Sequence, residues 1–326
     1  MNVGVIGGGA WGTALAQVAA DGGKPTLLWA MEPDVVEGIN GAHRNAAFLP
    51  DLPLNPAIRA TGDLGELERC DALLVVTPAQ HTRSVLERLP ARDKPLVLCA
   101  KGIEERTGEL LHQVARQACP SAPVAVLSGP TFAQEVAKGL PTAVTLAAED
   151  LDLAERLRDR LARPTFRIYV SNDVAGAEIG GAVKNVLAIA CGVVEGKGLG
   201  QNARAALIAR GFAEMRRFAL ACGAQRETLA GLSGLGDLVL TCSSTSSRNY
   251  SLGVGIGEGR SAAELLSNRT TVAEGAFTAP VLARISREKG IDMPIVNAVD
   301  ALVSGRANVD RVLDQLLSRP PRSEGA

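Results

Sequence analysis

The stretch Asn2–Ala16, NVGVIGGGAWGTALA, decides the fold of this 326-residue chain. The apolar run Val3–Ile6 has the composition of a buried strand, and Ala10–Val18 has that of a helix. Three consecutive glycines separate the two and imply a backbone path that a Cβ atom would block. They also open the frame G-x-G-x-x-G, whose glycines are Gly7, Gly9 and Gly12. In this frame a dinucleotide pyrophosphate can lie at the N-terminus of the helix.

Composition and charge exclude several classes of function. Hydrophobic residues make up 46% of the chain and charged residues 21%, as in ordinary globular proteins. The 34 basic and 35 acidic side chains nearly balance, which argues against nucleic acid or an anionic membrane surface as a partner. Because the first predicted strand begins at the second residue, we expect no signal peptide and a cytoplasmic protein.

The six cysteines and three histidines do not form a metal-binding pattern. The cysteines are scattered in apolar runs without C-x-x-C spacing, and the histidines are far apart. This usage is typical of small buried side chains in a reducing compartment rather than of disulfides or a zinc site. We therefore expect no metal ion.

The first half of the chain alternates short apolar runs with helical stretches. A strand at 25–30 and a helix at 33–41 precede a polar, proline-rich segment, 43–56, which predicts a loop. Four runs rich in Val and Leu follow; they are DALLVVTPA (71–79), KPLVLCAKG (94–102), PVAVLSGPT (123–131) and PTAVTLAA (141–148). Helical stretches lie between them at 80–89 and 108–119. The alternation predicts an α/β domain with a parallel sheet and right-handed crossovers.

The carboxyl ends of the predicted strands carry residues of functional interest. Ligands of parallel sheets bind beyond these ends of the strands. The segments found there are Thr77-Pro78, Lys101-Gly102 and Ser128–Thr131. We therefore expect them to contribute to binding as well as to turn the chain.

From about Asn172 no further alternation of strands and helices appears. The stretches 173–196 and 202–224 predict long helices, and the remainder predicts further helices with glycine-rich turns. The expected organisation is a dinucleotide-binding domain at 1–171, a helical domain at 172–317 and a disordered tail at 318–326. The apolar run 179–194 is short and contains Lys and Asn, so we expect a core helix there rather than a membrane span.

The helical domain contains two isolated charges of opposite sign. Lys184 is the one charged residue of 179–194, and Asp237 is the one charged residue of 228–247. Burial lowers the pKa of a lysine toward the range useful in catalysis, and buried charges are normally paired. We therefore expect the two residues to meet in a catalytic site. The alternatives are a lysine whose tip reaches water and an ion pair without function.

A serine-rich segment, TCSSTSSRNY (241–250), follows closely after Asp237. Its hydroxyl groups, together with Arg248 and an asparagine, suit a phosphate group, for which guanidinium is a bidentate partner. The alternative is a flexible serine loop. The chain shows neither a Ser-His-Asp order nor a P-loop, and hydride transfer needs neither.

Several motifs, in order along the chain, are similar to those of one enzyme family. They are GGGAWGTALA (7–16), AKGIE (100–104), SGPTFAQEV (128–136), GGAVKN (180–185), GLGDLVLTC (234–242), SRN (247–249) and TVAEG (271–275). Over nearly its whole length the chain resembles the bacterial NAD(P)-dependent glycerol-3-phosphate dehydrogenases. The resemblance implies a Rossmann-like N-terminal domain with a mainly parallel sheet, and an all-α C-terminal domain of the 6-phosphogluconate dehydrogenase type, usually in a homodimer. It also implies the reversible reduction of dihydroxyacetone phosphate to sn-glycerol 3-phosphate with NADH or NADPH, which supplies glycerophospholipid synthesis.

The resemblance also implies roles for individual residues. Lys184 would donate the proton in reduction, while Lys101 and Asp237 would hold the substrate oxygens and the Lys184 amine. The residues expected at the substrate are Lys101, Gly129, Thr131, Lys184, Asn185, Asp237, Thr241, Ser247, Arg248 and Asn249. Those expected at the cofactor are Gly7, Gly9, Ala10, Trp11, Gly12, Glu32, Lys101, Ala133, Arg248, Val272 and Glu274.

The glycines of the frame take the roles known for such fingerprints. Gly7 would make the tight turn, Gly9 would admit the pyrophosphate, and Gly12 would let the helix lie close to the strand. Gly8 falls between these positions and has no assigned role.

One position departs from the family and bears on the choice of cofactor. Many relatives read LWAR after the second strand, whereas this chain reads LWAMEP, with Met31 in place of the arginine. Glu32 follows, 20 residues after Gly12, where an acidic side chain suits the free 2′-hydroxyl of NAD and repels a 2′-phosphate. Arg44 could restore phosphate binding, and Glu32 could point into solvent, so both cofactors remain candidates.

Two other functions fit parts of the pattern. A hydroxyacid dehydrogenase of the 3-hydroxyisobutyrate or ketopantoate type would share the glycine frame and a helical lysine, but it would not need the SSRN segment, 246–249. A nucleotide-sensing protein that binds NAD(H) without turnover would have no reason to bury Lys184 and Asp237.

Overall fold

A computed structural model describes residues 1–90, 92–267 and 272–320 of the chain. Its contacts divide the chain into two compact units. Unit 1 consists of Met1–Ala100 and Leu110–Ala177, and unit 2 consists of Lys101–Glu109 and Glu178–Ala326. The sequence places the domain boundary at 171/172 and counts 101–109 with the first domain. The structure groups that short segment with unit 2, where Lys101 forms an ion pair.

Unit 1 is built on an eight-stranded sheet. The described strands of the chain are β1 (Val3–Ile6), β2 (Thr26–Trp29), β3 (Arg44–Asn45), β4 (Leu49–Pro53), β5 (Ile58–Thr61), β6 (Ala72–Val75), β7 (Leu96–Leu98), β8 (Val124–Ser128), β9 (Thr142–Ala148) and β10 (Phe166–Ser171). The order in the sheet is β10-β9-β8-β7-β6-β1-β2-β5. All neighbouring strands are parallel except β8 and β9. The predicted mainly parallel sheet is thereby confirmed.

Two details of this unit differ from the sequence-based expectation. The segment 43–56, predicted to be a loop, contains the short antiparallel pair β3–β4. The strands β8 and β9 run antiparallel, and the apolar runs that predicted a parallel sheet did not single out this pair. Such runs report burial on both faces of a sheet and do not encode the direction of a strand.

Helices cover both faces of the sheet. The helices of unit 1 are α1 (Ala10–Ala20), α2 (Pro33–Ala42), α3 (Thr82–Leu86), α4 (Leu111–Ala118), α5 (Ala133–Ala137) and α6 (Leu151–Leu161). Along β2, Leu28 joins the hydrophobic cluster that contains Leu15 of α1. Its neighbours Leu27 and Trp29 join the cluster that contains Leu111 of α4. Successive side chains of a strand point to opposite faces, so β2 is buried on both.

The regular secondary structure of unit 2 from Glu178 onward is helical over its described residues. Its helices are α7 (Val174–Gly196, which begins in unit 1), α8 (Gly200–Ala221), α9 (Arg226–Ala230), α10 (Asp237–Thr241), α11 (Arg248–Gly257), α12 (Ala262–Ser267), α13 (Glu274–Glu288), α14 (Pro294–Val303) and α15 (Val309–Leu317). A π-helical turn, Leu232–Gly236, leads directly into α10. The predicted all-α second domain is confirmed.

The helix α7 forms the centre of unit 2. Although it is long and apolar enough to span a membrane, its most apolar window is entirely buried in the protein, as expected of a core helix. Glycines let α11 approach it closely, because a Cβ at Gly192 would overlap the Tyr250 carbonyl oxygen and one at Gly253 would overlap that of Ile189. This contact fixes the first turn of α11 relative to the middle of α7.

The predicted disordered tail begins after α15. Arg319 forms an ion pair with Asp292, with 2.7 Å between Nη2 and Oδ2. Residues 321–326 of the tail lie outside the described residues.

Candidate functional site

The two isolated charges of the helical domain meet in unit 2. Lys184 Nζ lies 2.5 Å from Asp237 Oδ1 and donates a second hydrogen bond, of 2.9 Å, to Thr241 Oγ1. The central helix α7 supplies the lysine, and the short helix α10 supplies both partners. All three residues are at most 5% exposed, so the tip of Lys184 reaches a carboxylate rather than bulk water.

A second lysine shares the same carboxylate. Lys101 Nζ lies 2.7 Å from Asp237 Oδ2, and its side chain is 15% exposed, against 6% for that of Lys184. With both amines protonated, the cluster carries one positive charge more than Asp237 neutralises. A preorganised positive charge in a water-poor site stabilises negative charge that develops on an oxygen. The cluster therefore suits chemistry at a carbonyl or hydroxyl oxygen.

The protonation of Lys184 is poised near neutrality. The pKa of Lys184 is lowered from 10.5 to about 7, mainly by burial; the nearby Lys101 charge acts in the same direction, and Asp237 opposes both effects. A proton donor or acceptor is most effective when its pKa lies near the working pH. Lys184 can therefore give or take a proton at physiological pH.

Small residues explain how α7 comes so close to the turn that carries Asp237. A Cβ at Gly180, one helical turn before Lys184, would overlap the Ser233 carbonyl oxygen. A Cβ at Gly234 would overlap the Leu229 carbonyl oxygen. Gly180 is therefore needed for the close approach of α7, and Gly234 is needed for the path of the turn past Leu229. π-Helical turns such as Leu232–Gly236 are frequent at functional sites.

Carboxamide groups connect Lys101 with two other helices. Asn185 Nδ2 donates to the Lys101 carbonyl oxygen at 3.2 Å, and Asn249 Nδ2 donates to Asn185 Oδ1 at 3.0 Å. Asn249 Oδ1 in turn accepts from the Gly275 backbone N–H at 2.9 Å. These bonds tie the first turns of α11 and α13 to α7 beside Lys184. Sequence reasoning did not foresee this chain of bonds.

The expected phosphate-binding residues lie at the start of α11. Ser247 is the N-cap, and its Oγ accepts from the Tyr250 backbone N–H at 3.2 Å. Arg248 is the first residue of the helix and is exposed. Of the other predicted contacts in unit 2, Val272 is 39% exposed and Glu274 begins α13.

The glycine frame of unit 1 has the geometry of a pyrophosphate cradle. Gly7 has a φ of +125° and lies against the Val76 carbonyl oxygen, where a Cβ would approach to 2.9 Å. A Cβ at Gly12 would overlap the Gly7 carbonyl oxygen, whereas nothing lies within 4 Å of the position of a Cβ on Gly9. Gly9 is the N-cap of α1, so there is open space at the positive end of this helix.

The next residues complete the cradle. A Cβ on Gly8 would lie 2.5 Å from the Ala30 Cβ, so the close packing of Gly8 against Ala30 explains a glycine at this position. Ala10 is the first residue of α1. The indole Nε1 of Trp11 is buried and has no hydrogen-bond partner among the described residues. The buried Trp11 N–H donor and the open space at Gly9 fit a bound dinucleotide.

Residues at the strand ends take the positions expected from the sheet. Gly129 directly follows β8, and a Cβ there would lie 2.9 Å from the Val144 Cα. Thr131 Oγ1 donates to the Gly129 carbonyl oxygen at 3.3 Å, and Ala133 begins α5. These residues therefore lie at the carboxyl end of the strand, where ligands of such sheets bind.

The residues that bear on the choice of cofactor follow β2. Met31 is 73% exposed, and Glu32 is the N-cap of α2. The Arg44 Nη1 donates to the Pro50 carbonyl oxygen at 3.4 Å, and its side chain is exposed. An acidic side chain thus stands at the end of β2, where dinucleotide-binding folds contact the ribose.

Asn45 contacts the glycine frame, and this contact was not predicted from the sequence. It is completely buried, and its Nδ2 donates to the Gly8 carbonyl oxygen at 2.7 Å. Asn45 lies 37 positions away from Gly8 in a segment predicted to be a loop, so the pattern around it carried no signal. Within the described ranges, no group of three or more His, Cys, Asp or Glu side chains is placed to hold a metal ion.

Comparisons with known proteins agree along the whole chain. The models for the N- and C-terminal regions of the NAD-dependent glycerol-3-phosphate dehydrogenases match residues 2–154 and 173–314. A glycerol-3-phosphate dehydrogenase (NAD(P)+) from Erythrobacter litoralis is 62% identical over 323 residues, which cover 99% of this chain and 98% of that protein. The enzyme of the same name from Novosphingobium aromaticivorans is 63% identical over 324 residues, with 99% and 98% covered.

A solved structure gives the same result. The crystal structure of glycerol-3-phosphate dehydrogenase from Coxiella burnetii matches with a TM-score of 0.93 at 37% identity, covering 98% of this chain and 99% of that chain. The resemblance seen in the sequence motifs is thereby confirmed. The chain belongs to the family of the NAD-dependent glycerol-3-phosphate dehydrogenases.

Proposed function

We propose that the chain reduces dihydroxyacetone phosphate to sn-glycerol 3-phosphate, reversibly, with NADH or NADPH, and so supplies glycerophospholipid synthesis. The observation that carries the proposal is the buried cluster of Lys184, Lys101 and Asp237 in a chain of this family. A hydroxyl–carbonyl interconversion needs a group that moves one proton at the substrate oxygen. Lys184, with its pKa lowered to about 7, suits that task.

Each member of the cluster has a separate role. The Lys184 ammonium donates the proton to the substrate oxygen in reduction, and the neutral amine accepts it in oxidation. Asp237 holds both lysine tips, at 2.5 and 2.7 Å, and so fixes their directions. Lys101 adds positive charge that stabilises a developing alkoxide. The bound nicotinamide supplies the hydride.

Recognition of the substrate phosphate falls to the start of α11. Ser247, Arg248 and Asn249 place a hydroxyl, a guanidinium and a carboxamide in one turn at the positive end of the helix. Arginine is the side chain best matched to phosphate geometry. This segment favours a phosphorylated substrate over the unphosphorylated hydroxyacids of related dehydrogenases.

The cofactor is held by the glycine frame, and its preference follows from Met31 and Glu32. The exposed Met31 offers no charge to a 2′-phosphate, and Glu32 repels one. We expect NADH to be used at least as well as NADPH, and Met31→Arg to shift the preference toward NADPH. The matching test compares kcat/KM for both cofactors, and a strong preference of the unmodified chain for NADPH would point to Arg44 instead.

We also propose that the protein is cytoplasmic and forms a homodimer. All six cysteines are free thiols, and five of them are buried, which suits the reducing cytoplasm. The family resemblance supports a homodimer. Light scattering on the purified protein tests the dimer.

A substrate panel tests the proposed function. NADH oxidation is measured with dihydroxyacetone phosphate, with unphosphorylated dihydroxyacetone, and with ketopantoate. We expect turnover with the phosphorylated ketone to exceed the others by a wide margin in kcat/KM. Faster turnover of ketopantoate would favour a hydroxyacid dehydrogenase, and NADH binding without turnover of any ketone would favour a nucleotide sensor.

A further inference from the structure

The carboxamide of Asn45 is fully engaged with the glycine loop, defined here as residues 7–9, and with its surroundings. Its Nδ2 donates to the Gly8 carbonyl oxygen at 2.7 Å and to Thr13 Oγ1 at 2.8 Å. Its Oδ1 accepts from the Phe48 backbone N–H at 3.2 Å. The residue is 0% exposed, so these bonds are not shared with bulk water.

The bond to Gly8 sets the direction of the next backbone N–H. The peptide between Gly8 and Gly9 is planar and trans, so its C=O and N–H point in opposite directions. Asn45 holds this carbonyl oxygen directly, and it also donates to Thr13 Oγ1, which itself donates to the Gly8 carbonyl oxygen at 3.3 Å. The Gly9 N–H is therefore directed away from both side chains. Gly9 is the N-cap of α1, with open space at its Cβ position.

A glycine-rich segment would not hold this direction by its own preferences. Glycine populates regions of φ and ψ that other residues avoid, so a peptide flanked by Gly8 and Gly9 can rotate at low cost. The rotated peptide would present a carbonyl oxygen, rather than an N–H, toward an incoming phosphate. Phosphate binding at helix N-termini depends on N–H groups that point at the anion.

We propose that Asn45 is a positioning residue for the cofactor. By fixing the Gly8 carbonyl oxygen it keeps the Gly9 N–H ready for the pyrophosphate of NAD(H) or NADP(H). The inference rests on the proposed function, since it assumes that the glycine frame binds a dinucleotide. A purely structural role would instead confine the effect of Asn45 to the stability of unit 1.

Asn55 offers a matched control at the opposite end of the same helix. Its Nδ2 donates to the carbonyl oxygen of Ala20, the last residue of α1, at 3.0 Å, and its Oδ1 accepts from the Ala57 backbone N–H at 2.9 Å. Asn55→Ala therefore removes two part-buried side-chain hydrogen bonds at α1 without touching the glycine loop. Asn45→Ala and Asn55→Ala are compared for their affinity for NADH, measured by fluorescence titration, and for their melting temperature.

We expect Asn45→Ala to raise the Kd for NADH by about tenfold or more, because the loss of one buried hydrogen bond corresponds to about a tenfold change in an equilibrium constant. Asn55→Ala should leave this Kd within about twofold of the unmodified value, at a similar loss of melting temperature. Equal Kd values for the two variants would overturn the inference. If the unmodified chain does not bind NADH at all, the proposed function fails instead.

Asn45→Asp gives a second test that does not depend on how well the alanine variant folds. An ionised carboxylate cannot donate to the Gly8 carbonyl oxygen, whereas a protonated carboxyl can. The affinity of this variant for NAD⁺, measured by calorimetry, should therefore improve as the pH falls, while those of the unmodified chain and of Asn55→Ala stay level. A flat profile for Asn45→Asp at the unmodified affinity would contradict the positioning role.

Discussion

Replacing Asp237 by asparagine isolates the electrostatic coupling that sets the protonation of Lys184. The substitution keeps the shape of the side chain and one acceptor oxygen, but it removes the negative charge 2.5 Å from Lys184 Nζ. In the unmodified chain burial lowers the pKa of Lys184 to about 7, and Asp237 is the main group that raises it. Without this charge the pKa of Lys184 must fall further.

The direction of the pH effect follows from the role of Lys184. The ammonium is the proton donor in reduction, so the reductive kcat/KM of the unmodified chain should decline above about pH 7, by about tenfold per pH unit at the limit. The oxidative kcat/KM should rise over the same range. An opposite charge at this distance shifts a pKa by about 1–3 units, so the decline should begin about 1–3 pH units lower in Asp237→Asn.

The assay is the pH dependence of initial rates of NADH oxidation with dihydroxyacetone phosphate. A shift of about two units would leave about 1% of the amine protonated at pH 7, a loss of about fiftyfold relative to the half-protonated wild type. Comparison on one substrate cancels the titration of the substrate phosphate. Thr241→Val, which removes a 2.9 Å hydrogen bond but no charge, should shift the midpoint much less. A folded Asp237→Asn enzyme with an unchanged or higher midpoint would refute the coupling.

Three further predictions follow from other parts of the structure. Arg248→Ala should lower kcat/KM for dihydroxyacetone phosphate by at least about tenfold, since a hydrogen bond to a charged group contributes about 1.5–3 kcal/mol. An equal loss of kcat/KM with unphosphorylated dihydroxyacetone would show that Arg248 does not act by recognising the phosphate. Gly192→Ala, whose Cβ would overlap the Tyr250 carbonyl oxygen, should destabilise the protein by at least about 1–3 kcal/mol in urea unfolding, whereas Gly41→Ala, with open space around its Cβ in α2, should not. Burial raises the pKa of Glu214 from 4.5 to about 7 in the folded chain. The contribution of Glu214 to folding stability is therefore fully present below about pH 4.5 and is lost as the pH rises through about 7. The melting temperature should fall less between these pH values in Glu214→Gln than in the unmodified chain, and parallel plots of melting temperature against pH for the two proteins would contradict this.

The sequence predicted the isolated charged residues of the site better than the residues that contact them and hold them in place. Lys184 and Asp237 could be paired because each is isolated in an apolar stretch, and buried charges need partners. The bond from Lys101 to Asp237 spans 136 positions, and no local pattern encodes a contact over that distance. The place of Lys101 at a predicted strand end indicated a part in binding, and the family resemblance alone placed it beside Lys184 and Asp237.

Three other features could not be predicted from the local sequence, each for a physical reason. Asn45 acts through a backbone carbonyl group, so nothing in its neighbours signals its contact with Gly8. The π-helical turn before Asp237 lies directly against Gly180 of α7, and such a tertiary contact is not encoded in the local sequence. The antiparallel pairing of β8 and β9 was hidden because apolar runs report burial and not direction.

The central claim is that Lys184 moves the proton in the reduction of dihydroxyacetone phosphate. The most direct measurement is the turnover of Lys184→Ala with this substrate, beside its Kd for NADH in the same preparation. We predict that turnover falls by about 10²–10⁴-fold, the range for a positioned proton donor, while the Kd for NADH stays within about twofold of the unmodified value. Near-normal turnover of Lys184→Ala would contradict the account and would make Lys101 the next candidate.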